Sequence, residues 1–200
     1  LSSSSAASDV YKRQTLDRAV SNFESFKNHV SVLFWSLGNE SYAGDILVEM
    51  NRYYKEKDPD RLVHYEGVAE NRPYEDLISD MESQMYAPPE KIKEYLENNP
   101  KKPFILCEYM HDMGNSLGGM ESYIRLLDQY EDYQGGFIWD YIDQALFVKD
   151  EVTGRDVLRY GGDFDDRPSD YEFSGNGILF ADRTEKPAMQ EVRHYYGLRR

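Results

Sequence analysis

Apolar positions along the chain change repeatedly between helical and strand spacing. Leu16, Val20 and Phe23 recur at helical spacing, and the nearly continuous apolar run at residues 30–37 is typical of a strand covered on both faces. The same pattern continues to Trp139 in the order β-α-β-loop-β-α-β-α-β. The further predicted helices span residues 46–54, 90–98 and 120–130, and the further predicted strands span residues 62–65, 83–86, 104–107 and 135–139.

This alternation predicts a parallel sheet with helical crossovers. A complete (β/α)8 barrel needs about 250 residues, so we predict an α/β fold that forms a partial (β/α)8 TIM barrel, about strands 4–8, over residues 15–198. A hairpin or long loop at 147–160 and a final helix at 186–196 follow the last barrel strand. Residues 1–14 begin with a Ser- and Ala-rich stretch and are predicted to be a disordered tail or an artefactual leader.

The charge balance limits the partners of the chain. Its 200 residues carry a net charge of -14, which disfavours nucleic acid and anionic membrane surfaces. No apolar run approaches the roughly 20 residues that span a bilayer. The single cysteine, Cys107, permits no intrachain disulfide. We therefore expect a cytoplasmic protein, with a periplasmic or exported parent as the alternative.

Two glutamates follow buried apolar strands, at positions where a charged side chain loses hydration. Glu40 ends the stretch 31–40, and Glu108 ends the run that begins at Pro103. In a (β/α)8 barrel the carboxyl ends of the strands carry the active site. Polar or aromatic residues that accompany the two acids are Asn39, His111, Asn115 and Trp139. For either acid alone a structural ion pair is an equally good interpretation, but the pair indicates two carboxylates in one cleft.

Two carboxylates in one cleft are the equipment for cleaving a glycosidic bond. One acid must stay protonated to donate to the leaving oxygen, and the other must be ionised to attack the anomeric carbon. Retaining enzymes hold the two carboxyl groups about 5–5.5 Å apart, and inverting enzymes hold them about 6.5–9.5 Å apart. The sequence does not distinguish these separations.

Four motifs then identify a family. Ser36-Leu-Gly-Asn-Glu-Ser41, the stretch 105–118 (ILCEYMHDMGNSLG), the stretch 135–144 (GGFIWDYIDQ) and the stretch 176–183 (NGILFADR) resemble the catalytic domain of the large bacterial β-galactosidases of glycoside hydrolase family 2. The motifs occur in the family order from about residue 15 to the end of the chain.

The resemblance implies a retaining hydrolase that removes terminal β-D-galactose from β-galactosides such as lactose. Glu40 would be the general acid/base and Glu108 the nucleophile. Asn39 would contact the sugar 2-hydroxyl, a contact that strengthens toward the transition state. Tyr86 would assist the nucleophile, and His111 would bind sugar hydroxyls.

The resemblance also implies an apolar wall, two metal ions and an assembly. Trp139 would stack under the galactose, and Asn176 would join the substrate-binding residues. Glu40 would bind magnesium, while the Phe173 backbone carbonyl and the Asn176 side chain would bind sodium. The remaining ligands of both ions lie outside this chain in the family. The parent protein is expected to be a homo-oligomer.

Two alternatives stay open at this point. The first is another specificity of the same family, a β-glucuronidase or a β-mannosidase. The second belongs to a different class of function, an inactive carbohydrate-binding or structural fragment. The stretches around Glu40 and Asp112 favour the galactosidase.

Overall fold

The structure, a computed structural model, describes residues 2–114 and 116–198, so Asn115 lies outside the described residues. One unit of the fold holds the residues up to Met85 together with Asn99–Cys107, and the other holds Tyr86–Asn98 together with the residues from Glu108 onward. The helices are α1 (Ser2–Phe26), α2 (Asp45–Lys57), α3 (Glu75–Ile78), α4 (Pro89–Glu97), α5 (Met120–Gln129) and α6 (Met189–Gly197). The strands are β1 (Phe34–Ser36), β2 (Leu62–His64), β3 (Glu82–Met85), β4 (Phe104–Tyr109), β5 (Tyr133–Ile138), β6 (Leu146–Lys149) and β7 (Asp156–Arg159).

The first unit packs α1 and α2 against short strands. β1 and β2 pair in parallel, with Trp35 opposite Val63, and the Glu82 N–H of β3 donates to the Pro103 carbonyl oxygen just before β4 at 2.9 Å. Trp35 also stacks on Tyr54 of α2, with ring centroids 5.2 Å apart. The buried residues of this core are Ala19, Phe23, Trp35, Leu37, Ala43, Leu47, Met50, Tyr54, Val63, Tyr65, Val68 and Ile78.

Helix α2 follows from its sequence. Its buried residues Leu47, Met50 and Tyr54 recur at helical spacing and form one apolar stripe toward the core. Asp45 lies in the first turn and lysines lie in the last turn, each placed favourably toward the helix dipole. The helix ends before Pro59, which disfavours a helical conformation at the preceding residue.

The strand predicted at residues 30–37 is shorter in the structure, and its first part is wrong. Val30 and Leu33 are 94% and 74% exposed, and β1 begins only at Phe34. The backbone before β1 turns, because the Val32 N–H donates to the His29 carbonyl oxygen at 3.1 Å. The Arg61 guanidinium also donates to the His29 carbonyl oxygen, which occupies that acceptor in the turn.

The segment predicted as a disordered tail is helical from Ser2 onward, because α1 extends without a break to Phe26. The segment has no proline or glycine to stop a helix, and Lys12 forms an ion pair with Glu49 of α2. Its assignment as a segment outside the domain stays a prediction.

A buried histidine links three strands of the first unit. His64 of β2 is 5% exposed. Its Nδ1 lies 2.9 Å from the Ser36 hydroxyl of β1, and its Nε2 lies 2.8 Å from the Ser83 hydroxyl of β3. Burial lowers the pKa of His64 to about 4, so the imidazole is neutral at pH 7.

This histidine predicts acid sensitivity. The folded pKa of about 4 lies below the ordinary value of 6.5, so its contribution to stability is complete above pH 6.5 and is lost as the pH falls toward 4. The shift corresponds to about 3 kcal/mol. We expect the fall in unfolding free energy between pH 7 and pH 4 to be smaller by about this amount in His64→Gln. Urea unfolding of both chains across that range measures the difference, and equal pH dependence would contradict the prediction.

The second unit packs α5 and α6 beside the end of β4 and β5. The Trp139 N–H after β5 donates to the Tyr109 carbonyl oxygen of β4 at 3.0 Å. β6 and β7 form the predicted hairpin as an antiparallel pair, with Leu146 opposite Arg159. The buried residues of this core are Met120, Ile124, Ile178, Leu179 and Val192.

The described strands belong to sheets of two, three and two strands, so the chain is a mixed α/β protein. The parallel pairing of β1 with β2 is the pairing expected for strands joined by a helix. The predicted partial barrel stays a prediction at this point. Among the residues that the structure describes, no helix is both long enough and apolar enough to cross a membrane.

Candidate active site

Glu40 lies in a short loop that follows β1 in the first unit. The first residue of this loop continues the pairing of β1 with β2, because the Leu37 N–H donates to the His64 carbonyl oxygen at 3.0 Å. Glu40 itself is exposed and has a φ of +52°. Its backbone N–H donates to Oε1 of the buried Glu66 at 2.5 Å. Asn39 is also exposed, and its carbonyl oxygen accepts a 3.3 Å hydrogen bond from the Ser41 hydroxyl.

A pocket of about 330 Å³ lies beside Glu40 in the same unit. Its lining residues are Glu40, Glu66, Gly67, Ala69, Glu70, Gln84 and Met85. An exposed carboxyl group at the edge of such a pocket can contact a bound molecule. A carboxyl group in a buried ion pair cannot.

Glu108 lies near the carboxyl end of β4 in the second unit and is half-buried. The Tyr86 hydroxyl donates to Glu108 Oε2 at 2.8 Å, and the Tyr86 N–H donates to the Glu108 carbonyl oxygen at 2.9 Å. The tyrosine therefore holds both the backbone and one carboxylate oxygen of Glu108.

His111 connects this pair to a second polar group. Its ring stacks on the Tyr86 ring, with centroids 5.8 Å apart and planes at 22°. Its Nε2 lies 2.9 Å from the Asn176 Oδ1, and its ring also contacts Phe173 at 6.1 Å between centroids. The Asn176 amide nitrogen donates to the Phe173 carbonyl oxygen. His111 can therefore present one polar edge to a ligand while Asn176 fixes the other.

Hydrogen bonds of the backbone at Asn176 and Gly177 hold Asn176 in place. Its carbonyl oxygen accepts a 2.8 Å hydrogen bond from the Asp140 N–H, and the Gly177 N–H donates to the Asp143 carboxylate at 2.8 Å. A Cβ at Gly177 would lie 2.3 Å from the Asp143 nitrogen, so only glycine permits this approach. The Lys186 ammonium pairs with the same carboxylate at 2.7 Å.

Trp139 follows β5 directly and is half-buried. Its carbonyl oxygen accepts a 2.8 Å hydrogen bond from the Asp112 N–H, which ties the tryptophan to the loop that carries His111. The Asp112 side chain is buried, and burial raises the pKa of its carboxyl group.

The structure brings together five of the predicted site residues in the second unit. They are Tyr86, Glu108, His111, Phe173 and Asn176. Trp139 belongs to the same unit through the backbone contacts of its loop. Asn39 and Glu40 are in the first unit, and their placement across one sugar ring from Glu108 stays a prediction.

Sequence reasoning missed Glu66. Its carboxylate accepts the Glu40 N–H, although Glu66 is only 7% exposed. The signal that selected Glu40 and Glu108 was also present here, since Glu66 follows the apolar strand β2 by two residues. The hydroxyl of the preceding Tyr65 also contacts the Ser41 backbone.

The described residues contain no group of three or more His, Cys, Asp or Glu side chains that could hold a metal ion. Glu40, the predicted magnesium ligand, therefore belongs to no such group in the described part of the chain. The predicted sodium ligands do lie in contact, because the Asn176 amide touches the Phe173 carbonyl oxygen. An amide rotated by 180° would bring the Asn176 oxygen to that carbonyl.

The second unit thus holds a glutamate bound by a tyrosine, beside a histidine–asparagine pair, in a mixed α/β protein. Residues 1–199 match the family described as glycosyl hydrolases family 2, TIM barrel domain, and the chain belongs to that family. The large subunit of β-galactosidase from Latilactobacillus sakei is 72% identical over 189 residues, and that from Lactobacillus helveticus is 69% identical over 188 residues. Each match covers 94% of this chain but 30% of the relative.

Solved structures of the same architecture are more distant in sequence. A β-galacturonidase from Eisenbergiella tayi superposes with a TM-score of 0.61 at 16% identity, covering 94% of this chain and 37% of that chain. A β-glucuronidase from Faecalibacterium prausnitzii superposes with a TM-score of 0.60 at 18% identity, covering 94% and 35%. At these identities the similarity supports the fold and does not indicate the substrate.

Proposed function

We propose that this segment belongs to a retaining β-galactosidase, in which Glu108 attacks the anomeric carbon and Glu40 exchanges the proton with the leaving oxygen. The observation that carries the proposal is the Tyr86–Glu108 pair at 2.8 Å, beside His111 and Asn176. The 72% identity to a β-galactosidase large subunit supports galactoside as the substrate class.

The proposed reaction has two steps. In the first, Glu108 Oε1 forms a bond to the anomeric carbon, the glycosidic bond breaks, and the Glu40 carboxyl group gives its proton to the leaving oxygen. In the second, the Glu40 carboxylate takes a proton from water, and the water oxygen displaces Glu108. The Tyr86 hydroxyl stabilises the negative charge on Glu108 before attack and after release.

The remaining residues bind the sugar in this proposal. His111 and Asn176 would hold hydroxyl groups, because they are paired to each other and leave further donors and acceptors available. Trp139 would cover the apolar face of the ring. Asn39 would bind the 2-hydroxyl, where a hydrogen bond gains strength at the transition state.

The metal ions remain part of the proposal in a limited form. Sodium would be held by the Phe173 carbonyl oxygen and, after rotation of its amide, by the Asn176 side-chain oxygen. Magnesium would need ligands beyond Glu40, and the described residues do not assemble them. A bound cation would supply positive charge near the sugar hydroxyls or near Glu40.

The proposal also extends to the fold and the assembly. We place the strands of this segment in the second part of a (β/α)8 barrel, about strands 4–8. The relatives from L. sakei and L. helveticus are named large subunits, which implies a second subunit in those proteins. A homo-oligomer stays a prediction for this chain.

Covalent labelling tests the function. The full-length protein that carries this segment, the intact enzyme, is incubated with a 2-fluoro-β-galactoside that has an activated leaving group. We expect one galactosyl adduct, located on Glu108 by peptide mass spectrometry, because fluorine at C2 slows release of the intermediate. An adduct on another residue, or no adduct, would overturn the assignment. Faster turnover of nitrophenyl glucuronide or mannoside than of galactoside would overturn the substrate class.

A further inference from the structure

The backbone at Glu40 adopts a conformation that its own sequence does not favour. Glu40 has a φ of +52°, in the left-handed region that L side chains other than Asn and Asp seldom adopt. The residue is also exposed, so packing of its side chain does not impose this conformation. Contacts to the backbone must therefore hold it.

Two consecutive residues after β2 supply those contacts. The buried Glu66 carboxylate accepts the Glu40 N–H at 2.5 Å. The fully buried Tyr65 hydroxyl accepts the Ser41 N–H at 3.1 Å and donates to the Ser41 carbonyl oxygen. Three backbone groups of residues 40 and 41 thus bind two side chains that are themselves fixed by burial. A hydrogen bond to a buried carboxylate is among the stronger hydrogen bonds in proteins.

The next residue keeps this contact close. A Cβ at Gly67 would lie 2.5 Å from the Tyr65 ring and 2.7 Å from the Ser41 carbonyl oxygen. Any larger residue would have to push the ring or the carbonyl away. Residues 65–67 therefore act as one clamp on the Glu40–Ser41 backbone.

We propose that Tyr65 and Glu66 are positioning residues for acid/base catalysis: they fix the direction in which the Glu40 carboxyl group leaves the backbone. This inference rests on the proposed function, because it takes Glu40 as the proton donor. Proton transfer needs a heavy-atom distance of about 2.6–3.2 Å. A displaced Glu40 backbone would lengthen that distance without altering Glu108, whose partners Tyr86 and the end of β4 belong to a different set of contacts.

Leaving-group dependence in the intact enzyme tests the clamp. The quantity compared is kcat/KM for an unactivated galactoside, lactose, divided by kcat/KM for 2,4-dinitrophenyl galactoside, whose departure needs little protonation. We expect Glu66→Ala and Tyr65→Phe to lower this ratio roughly 10- to 100-fold, since a displacement of about 1 Å can cost about 100-fold. Glu66→Gln keeps an oxygen acceptor for the Glu40 N–H and should recover most of the ratio.

Control variants separate the clamp from charge and from folding. Glu56→Ala removes an exposed carboxylate of α2 in the same unit, and we expect it to leave the ratio unchanged because the Glu40 N–H binds Glu66. Covalent labelling of Glu108 in each variant reports an intact nucleophile site. If Glu66→Ala does not fold, Tyr65→Phe, which removes one oxygen atom, decides the question. An equal loss on both substrates, or an unchanged ratio in Tyr65→Phe, would overturn the clamp.

Failure of the clamp is distinguishable from failure of the proposed function. If Glu40→Gln lowers the ratio and the Tyr65 and Glu66 variants do not, only the clamp is wrong. If Glu40→Gln also leaves the ratio unchanged, Glu40 is not the acid, and both proposals fall.

Discussion

Replacement of Glu108 by glutamine in the intact enzyme is expected to lower kcat on every galactoside by about 10⁴-fold or more, equivalent to about 5 kcal/mol of transition-state stabilisation. Glutamine keeps the size of the side chain and can still accept the hydrogen bond that the Tyr86 hydroxyl gives to Glu108 Oε2. It cannot form the glycosyl ester, so the first step has no nucleophile. Initial rates with nitrophenyl galactoside measure the loss.

The matched control is Glu94→Gln, which makes the same chemical change on an exposed turn of α4 in the same unit. We expect its kcat to equal that of the unaltered enzyme. The loss at Glu108 should be similar for activated and unactivated leaving groups, because both substrates need the same nucleophile. Glu108→Gln with more than about a tenth of normal kcat would remove Glu108 from the role of nucleophile.

The order of helices and strands could be predicted because the hydrophobic period is strong. α2, α4 and α5 each present buried residues at helical spacing, and their observed bounds differ from the prediction by only a few residues. The hairpin of β6 and β7 could be predicted from the turn at Thr153-Gly154, where Gly154 has a φ of +66°. These features depend on local sequence, which is why they need no knowledge of tertiary contacts.

The boundaries that failed depend on contacts that are distant in the chain. The apolar run at 30–33 reads as a strand, but the Arg61 side chain binds the Lys27 and His29 carbonyl oxygens just before it, and the backbone turns there instead. The polar start of α1 reads as a disordered tail, yet it is helical, and its place outside the domain stays a prediction. A hydrophobic pattern contains no information about which distant side chain will bind a carbonyl oxygen.

The site residues that could be predicted are those that lie in family motifs after predicted strands. Glu108, His111 and Asn176 were selected from motifs and do form one connected group with Tyr86. Glu66 was missed because no family motif surrounds it, although it too follows a strand. A glutamate after a buried strand is the pattern to examine in related chains, whether or not a motif surrounds it.

Glu40→Gln should slow cleavage of substrates with poor leaving groups much more than cleavage of substrates with activated leaving groups. The amide cannot donate the proton that an unactivated sugar alkoxide needs, so kcat/KM for lactose is expected to fall about 10²- to 10⁴-fold. The first step with 2,4-dinitrophenyl galactoside should proceed nearly as fast as before, because that leaving group departs without protonation. The Glu66 contact should survive, since the substitution does not alter the Glu40 N–H that it binds.

The same substitution also removes the base for the second step, which gives an independent check on the role. The galactosyl intermediate on Glu108 should accumulate, so that dinitrophenol appears in a burst followed by slow turnover. Azide needs no general base to attack, and we expect it to restore turnover and to yield β-galactosyl azide. This outcome requires one carboxyl group to act as the acid in the first step and as the base in the second. Only a carboxyl group on the side of the reacting carbon opposite Glu108 can do both. An equal loss on lactose and on the dinitrophenyl substrate, with no effect of azide, would assign Glu40 a structural role instead.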